Sequence, residues 1–309
     1  MRLTFIIPAL NEAEHLPRTI SAIRKTMGSQ APYEIILCDN GSTDGTPELA
    51  EQMGCKVIQD RTATISRLRN LGARESQGEV LVFIDSDISL EEDWFHTLKF
   101  VLSEDGAYNS LTGSKYLPPK QTKSFIINNW FALLPKTEQN YINSGHLVAP
   151  KAIHEKIGGF NEEMRTGEDY EYCQRAKSFG VEIRDRPNLK AYHFGFPTNL
   201  IDFIEREAWH GLDDVKSIQS FLNSKSAIAS AINFASIASI PLSLFTFESL
   251  LPPITSITVS LFFPITLTRL KFGHLAPLQL IRTSICFEFY LLGRIIALAR
   301  ANHRPKARS

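Results

Sequence analysis

Neither sign of charge is in excess in this chain: 33 lysines and arginines balance 33 aspartates and glutamates, for a formal net charge of zero. A balanced chain exerts no general pull on nucleic acid, and no nucleic-acid partner is expected. Cysteine is scarce. Cys38, Cys55, Cys173 and Cys286 form no Cys-x-x-Cys pair and no metal-ligand spacing, which speaks against a disulfide framework and for a reducing compartment. No secretory signal is expected in the first residues either, because the apolar run at residues 3–7 is short and is broken by Asn11 and Glu12. That run reads as a first strand.

What is present is uneven. Residues 1 to about 225 read as a soluble α/β chain, and the rest is strongly apolar. Strand-like runs recur at 3–7, 34–38, 55–59 and 80–84, with helical segments near 12–25, 47–53 and 66–75 between them. Such alternation predicts a mostly parallel, Rossmann-like sheet with helices on both faces. Further strands are expected near 110–116 and 181–184. In a parallel sheet the connections after the first strands gather at one edge. Three of them are polar: Pro8-Ala9-Leu10-Asn11-Glu12, Asp39-Asn40-Gly41-Ser42-Thr43-Asp44-Gly45 and Asp85-Ser86-Asp87.

Asp85-Ser86-Asp87 closes the apolar run at 80–84. Two carboxylates one residue apart repel each other unless a cation joins them. The carboxyl edge of a parallel strand is where open α/β sheets bind ligands. Mg²⁺ or Mn²⁺ held there against a diphosphate is the sharp reading; a solvated turn is the plain one.

Beyond residue 198 the pattern changes again. Residues 199–226 alternate as amphipathic helix, with a break at Gly211-Leu212-Asp213-Asp214. Residues 227–247 and 250–267 carry no charge, and only Glu248-Ser249 separates them. They are expected to form a transmembrane or re-entrant hairpin, against the alternative of a buried hairpin in a soluble protein. Lys225 before it and Arg269 and Lys271 after it place that side in the cytoplasm. Arg282, Glu288 and Arg294 point three ways on the last helix, which is therefore expected at the membrane interface or packed on the soluble domain. The tail, His303-Arg304-Pro305-Lys306-Ala307-Arg308, suits anionic lipid or is a solvated terminus.

In order, Ile6-Ile7-Pro8-Ala9-Leu10-Asn11-Glu12, Cys38-Asp39-Asn40-Gly41-Ser42-Thr43-Asp44-Gly45-Thr46, Leu68-Arg69-Asn70-Leu71-Gly72-Ala73, Gly78-Glu79 and Asp85-Ser86-Asp87 resemble the donor-side blocks of family 2 glycosyltransferases of GT-A fold. Gly158-Gly159-Phe160-Asn161-Glu162 and Gly167-Glu168-Asp169 resemble the acceptor-side blocks. The resemblance covers roughly residues 1–195. It implies a GT-A domain at 1–198, with a nucleotide-sugar half at 1–104 and an acceptor half at 105–198. Juxtamembrane helices would follow at 199–226, the hairpin at 227–268, and an interfacial helix with basic tail at 269–309.

By that resemblance the donor, expected to be a UDP-sugar, meets Pro8, Ala9, Asn11, Glu12, Asp39, Arg69, Asp85 and Ser86. Asp39 would accept from the N–H of a uracil-like base, and Asn11 and Glu12 would shape the ribose pocket. Asp87, with Asp85, would hold Mg²⁺ or Mn²⁺, and His193 is a further candidate ligand. Asp169 would be the general base of an inverting transfer, supported by Glu168. Plainer alternatives stand beside each: a helix N-terminus for Asn11-Glu12 and for Gly167-Glu168-Asp169, a helix-surface salt bridge for Arg69, a structural histidine at 193.

His146 stands where the family has small residues and asparagine, so its role is open. Arg206-Glu207-Ala208-Trp209-His210 lacks the glutamine of the Gln-x-x-Arg-Trp motif, which argues against a processive synthase. The implied partners are a nucleotide-sugar, a lipid-linked or envelope-glycan acceptor and the inner membrane, with the catalytic domain on the cytoplasmic side. The runner-up is a polyprenyl-phosphate sugar transferase, with GDP-mannose or UDP-glucose as donor. A non-catalytic nucleotide-sugar-binding membrane protein is the rival outside enzymes. A sugar-phosphate nucleotidyltransferase would need glycine and arginine in the loop after the first strand, and Pro8-Ala9-Leu10-Asn11-Glu12 has neither.

Overall fold

The computed structural model describes residues 1–134, 141–164, 167–246 and 251–301. Glu248-Ser249 and the basic tail at 303–308 lie outside the described residues. The chain divides into two compact units: the described residues within 1–120 and 136–195, and those within 121–135 and 196–309. Residues 121–134, expected in the acceptor half, therefore pack with the C-terminal helices.

In the first unit nine strands are described: β1 (Leu3–Ala9), β2 (Tyr33–Asp39), β3 (Lys56–Gln59), β4 (Val80–Ile84), β5 (Ile88–Leu90), β6 (Ser110–Gly113), β7 (His146–Pro150), β8 (Glu182–Asp185) and β9 (Ala191–His193). Seven of them form one sheet in the order β3-β2-β1-β4-β7-β6-β8. Only β7 runs against the rest, so the expected mostly parallel α/β sheet is the one found. Expectation missed β7, β5, β9 and the helix Trp94–Ser103.

Alternation along β1 and β4 sends side chains into two cores. Leu3, Phe5, Ile7, Val80, Val82 and Ile84 face one side, packed by Leu16, Ile20 and Ile23 of the helix Leu16–Met27. Ile6, Leu81 and Phe83 face the other, packed by Leu68 of the helix Ile65–Arg74 and Tyr172 of the helix Glu168–Ser178. A strand buried on both faces must be apolar at every position, which is why β4 reads Val-Leu-Val-Phe-Ile. Thr64 caps the Ile65–Arg74 helix by accepting the Arg67 N–H at 3.2 Å. Gly72 lets that helix lie directly on β1, because a Cβ there would run into Ile6.

Pairing of β1 with β4 stops at Ile6–Phe83, while pairing with β2 continues through Pro8–Cys38 to Ala9–Asp39. Pro8, which has no N–H, thus sits where β1 keeps one neighbour. Strand order reverses at β1, since β2 and β3 lie on one side and β4 on the other. Such a reversal opens a crevice at the carboxyl ends of the strands.

The second unit is helical. Leu200–Gly211 is capped by Asn199, whose Oδ1 accepts from the Asp202 N–H at 2.9 Å. It ends at the expected glycine, and a 3₁₀ turn Asp213–Val215 and the helix Ile218–Asn223 follow. The hairpin segments are the helices Lys225–Thr246 and Leu251–Phe272. Among the described residues only Pro252–Phe272 is long and apolar enough to cross a membrane, with 17 % of its most apolar window buried.

The last helix, Pro277–Ala301, lies along Leu200–Gly211. Arg294 reaches Glu207 at 3.1 Å and Asp214 at 2.8 Å, and Glu288 accepts from Asn233 Nδ2 at 2.8 Å. Two of the three charges that pointed apart in sequence therefore meet separate partners. Trp130 packs among Phe203, Phe287 and Tyr290, which accounts for residues 121–134 joining this unit.

Candidate active site

The crevice holds a cavity of about 340 Å³ lined by Pro8, Ala9, Leu10, Glu12, Asn40, Ile65, Leu68, Asp85, Ser86 and Asp87. Its wall comes from the β1 loop, the tip of β4 and the start of the Ile65–Arg74 helix. Six of the residues expected to meet the donor or a metal therefore line one cavity: Pro8, Ala9, Glu12, Asp85, Ser86 and Asp87.

The first two loops are locked together. Asn11, with φ +58°, accepts from the Thr43 N–H on Oδ1 at 2.8 Å, and its own N–H donates to Ser42 Oγ at 2.8 Å. Asparagine tolerates this left-handed backbone better than other residues. The Glu12 N–H donates to Thr46 Oγ1 at 2.8 Å, and the Ala13 N–H to Asp44 Oδ2 at 3.0 Å. The helix begins only at Leu16, so Asn11 and Glu12 belong to the loop and not to its first turn.

Asp39 is fully buried. Its Oδ2 accepts from the N–H groups of Gly41 at 2.9 Å and Ser42 at 3.1 Å. It organises the loop from beneath and is not among the cavity-lining residues. Asn11 likewise spends its side-chain acceptor on Thr43.

Three carboxylates converge at the cavity. Glu12 Oε2 and Asp87 Oδ1 are buried and meet no hydrogen-bond donor among the described residues. Burial, then repulsion from Asp87, Asp85 and Asp44, pushes Glu12 up to about 7, against a hydrogen bond from Ser86. Asp85 is also raised, by burial first; Asp87 adds to this, while Arg69 and His193 act against it.

His193 Nε2 stands 3.1 Å from Asp87 Oδ2. The contact exists because β5, starting right after Asp87, pairs with β9 in the register Ile88–His193. The imidazole stacks on Tyr116 with centroids 4.7 Å apart. Gly195 leaves room for Asp87: a Cβ there would overlap its carboxylate.

The orphaned Asp87 oxygen, with a histidine nitrogen beside its partner oxygen, is a donor set that fits a hard divalent cation. Among the described residues no three His, Cys, Asp or Glu side chains form a closed metal cage. A cation here would complete its shell with diphosphate oxygens and water, which is how Mg²⁺ is commonly bound at phosphate sites.

Arg69 is 1 % exposed. Its Nη2 donates to Asp85 Oδ1 at 2.9 Å and its Nη1 to Glu168 Oε1 at 3.0 Å. Arg69, expected at the donor with a helix-surface salt bridge as its alternative, thus forms a buried bridge and is not among the cavity-lining residues. Asn70 beside it clasps Phe160, accepting its N–H at 2.9 Å and donating to its C=O at 2.8 Å. Gly167 starts the Glu168–Ser178 helix with φ +74°, so the acids are in a first helical turn and Glu168 is also in the bridge. Asp169 is raised by burial and by the neighbouring Glu168.

Sequence reasoning missed Ser144 and Gly145. Ser144 Oγ donates to Glu168 Oε1 at 3.2 Å, and the Gly145 carbonyl accepts the Asp85 N–H at 3.2 Å. The small-residue run Asn143-Ser144-Gly145 was the available signal. His146 is structural: it is fully buried, accepts from Trp94 Nε1 on Nε2 at 2.8 Å, and pairs with Ser114 through Nδ1.

Residues 4–146 match the family model described as glycosyl transferase family 2. The chain is 26 % identical to glycosyltransferase AglE of Haloferax volcanii, over 59 % of this chain and 63 % of that protein. It is 23 % identical to the pre-mycofactocin glycosyltransferase of Mycobacterium tuberculosis, over 68 % of this chain and 46 % of that one. The chain thus spans about half to three-fifths of the length of these relatives. Among solved structures, the mannosyltransferase PcManGT of Pyrobaculum calidifontis, in complex with GDP-Man and Mn²⁺, superposes with a TM-score of 0.62 at 15 % identity. That match covers 98 % of this chain and 88 % of that one, and shows a shared fold. The matched stretch, residues 4–146, is just under half of the chain, and together with these relatives and the shared fold it supports a glycosyltransferase of family 2.

Proposed function

We propose that this chain is a metal-dependent, inverting glycosyltransferase attached to a membrane. It moves a sugar from a nucleoside diphosphate to a lipid-linked or envelope-glycan acceptor. The observation that carries the reading is the pair of unpartnered carboxylate oxygens, Glu12 Oε2 and Asp87 Oδ1, in residues that line the crevice cavity. Buried carboxylate oxygens left without a donor are costly unless a ligand completes them.

Asp87 and His193 would hold the divalent cation, with Asp85 beside them and set by Arg69. When bound, the ion supplies Lewis-acid neutralisation of the charge developing on the leaving diphosphate. Glu12 Oε2 is available to a ribose hydroxyl. Asp169 takes the proton from the acceptor hydroxyl as that oxygen bonds to the anomeric carbon and the bond to the diphosphate breaks. Its raised affinity for a proton suits that task. One displacement by one base inverts the anomeric centre.

With Asp39 engaged by its own loop, the choice between a UDP-sugar and a GDP-sugar is an experimental one. The Pro252–Phe272 helix supports membrane attachment, and Lys225, Arg269 and Lys271 support a cytoplasmic side. A thermal-shift screen of the purified full chain against UDP, GDP and their sugars, with and without Mn²⁺, tests the reading. One nucleotide should stabilise the protein only when Mn²⁺ is present. No stabilisation by any nucleotide with Mn²⁺ contradicts it.

A further inference from the structure

The Pro277–Ala301 helix carries an apolar face that the described residues of its own unit leave open. Leu278, Ile281, Ile285 and Leu292 are 59, 55, 44 and 42 % exposed. At 100° per residue they fall within about 60° of one another, a single stripe. Polar groups of the same helix are turned into the unit instead. Glu288 meets Asn233, Ser284 Oγ donates to Thr268 Oγ1 at 3.2 Å, and Arg294 meets Glu207 and Asp214.

The neighbouring hairpin shows the same inversion. Ser236 meets Ser260, and Ser239 meets Ser256, each at 2.9 Å between the two helices. Ile257, Leu261 and Phe262 face outward at 42, 62 and 61 % exposed. Helices of a bundle in water turn their polar residues out and their apolar ones in. Polar seams with apolar exteriors belong to a hydrocarbon surrounding.

The level of the stripe is also marked. Thr268–Ser284 joins the first third of the last helix to the C-terminal end of Leu251–Phe272, beside Arg269 and Lys271. A basic end on an apolar span marks the lipid–water boundary. Arg282 flanks the stripe, and a long arginine stem can lie on apolar surface while its charge reaches water.

We propose that Leu278, Ile281, Ile285 and Leu292 seat the Pro277–Ala301 helix in a lipid bilayer, at the boundary of headgroups and acyl chains, next to the spanning helix. Basic residues on this side favour anionic headgroups. The inference rests on the membrane reading above and extends it to a helix that is not itself a span.

The test uses the full chain in vesicles of phosphatidylcholine and phosphatidylglycerol. A nitroxide is placed in turn at Ile285→Cys, at Val259→Cys on the spanning helix, and at Phe100→Cys on the first unit, where native side chains are exposed. All four native cysteines are buried. Collision with oxygen relative to a water-soluble nickel chelate should be at least fivefold higher at 285 and 259 than at 100. If 259 reads lipid and 285 reads water, the stripe proposal falls and membrane attachment stands. If both read water, both fall. Dipolar broadening between labels at 285 would mean that a second copy covers the stripe, which also overturns the proposal.

Discussion

Arg69 Nη2 lies 2.9 Å from Asp85 Oδ1, and the other terminal nitrogen of the same guanidinium lies 3.0 Å from Glu168. One buried cation thus joins the acid at the tip of β4 to the helix that begins with Glu168-Asp169. Removing it leaves two carboxylates facing each other without compensation. Arg69→Ala is expected to cost about 3 kcal/mol of stability. Arg69→Lys should recover only part, because an ammonium cannot span both acids as a planar fork does. Urea unfolding of the variants measures this. An Arg69→Ala protein as stable as its parent, with only its donor KM raised, would make Arg69 a donor contact and not a strut.

Asp169 is the base of the proposed displacement, and its removal separates the two acceptor classes. Asp169→Asn should keep donor binding and lose about 10²- to 10⁴-fold in transfer to a sugar hydroxyl. A phosphate acceptor is already ionised and needs no base. Transfer within tenfold of the parent would favour a polyprenyl-phosphate acceptor. Donor affinity by calorimetry, read beside turnover, also exposes a merely structural role, since binding and transfer would then fall together.

Acid stability should be set in part by two buried histidines. His146 is pushed down to about 4 by burial, and His154 to about 4 by burial and by Arg175, Arg74 and Lys151. Both bind fewer protons folded than unfolded between pH 6.5 and pH 4. Their contribution is therefore present above pH 6.5 and is lost as pH falls toward 4. Between pH 7 and pH 5 each should cost about 2 kcal/mol. The raised carboxyls of Glu12, Asp85 and Asp169 act in the opposite direction, so the difference between His154→Gln and the parent isolates one histidine. The His154→Gln protein should lose less stability on acidification. Parallel pH profiles would show that His154 binds protons equally in the folded and unfolded states, so that folding does not lower its affinity for them.

Much of this site could be read before the fold was known, because its residues sit beside regular elements. The run at 80–84 announces a strand buried on both faces, and Asp85-Ser86-Asp87 follows it directly. Arg69 was legible as a residue but not as a bridge: its partners lie 16 and 99 positions away, and only the third dimension joins them. β5 and β9 are three residues each, too short to show a period, so the meeting of Asp87 with His193 was out of reach. Asp39 shows a second duty that the sequence did not reveal. Its position at a strand tip suggests a ligand contact, and Gly41 and Ser42 turn their N–H groups back onto it.

In the proposed reaction Asp87 holds a divalent cation against a nucleoside diphosphate. The most direct test of this role is Mn²⁺-dependent nucleotide-sugar turnover by the full chain, parent against Asp87→Asn, with folding checked by thermal unfolding. The variant should fold and turn over at least 100-fold more slowly, without rescue by added Mn²⁺, the scale of loss expected when a charge-stabilising group is removed. A folded Asp87→Asn protein with full Mn²⁺-dependent turnover would contradict it.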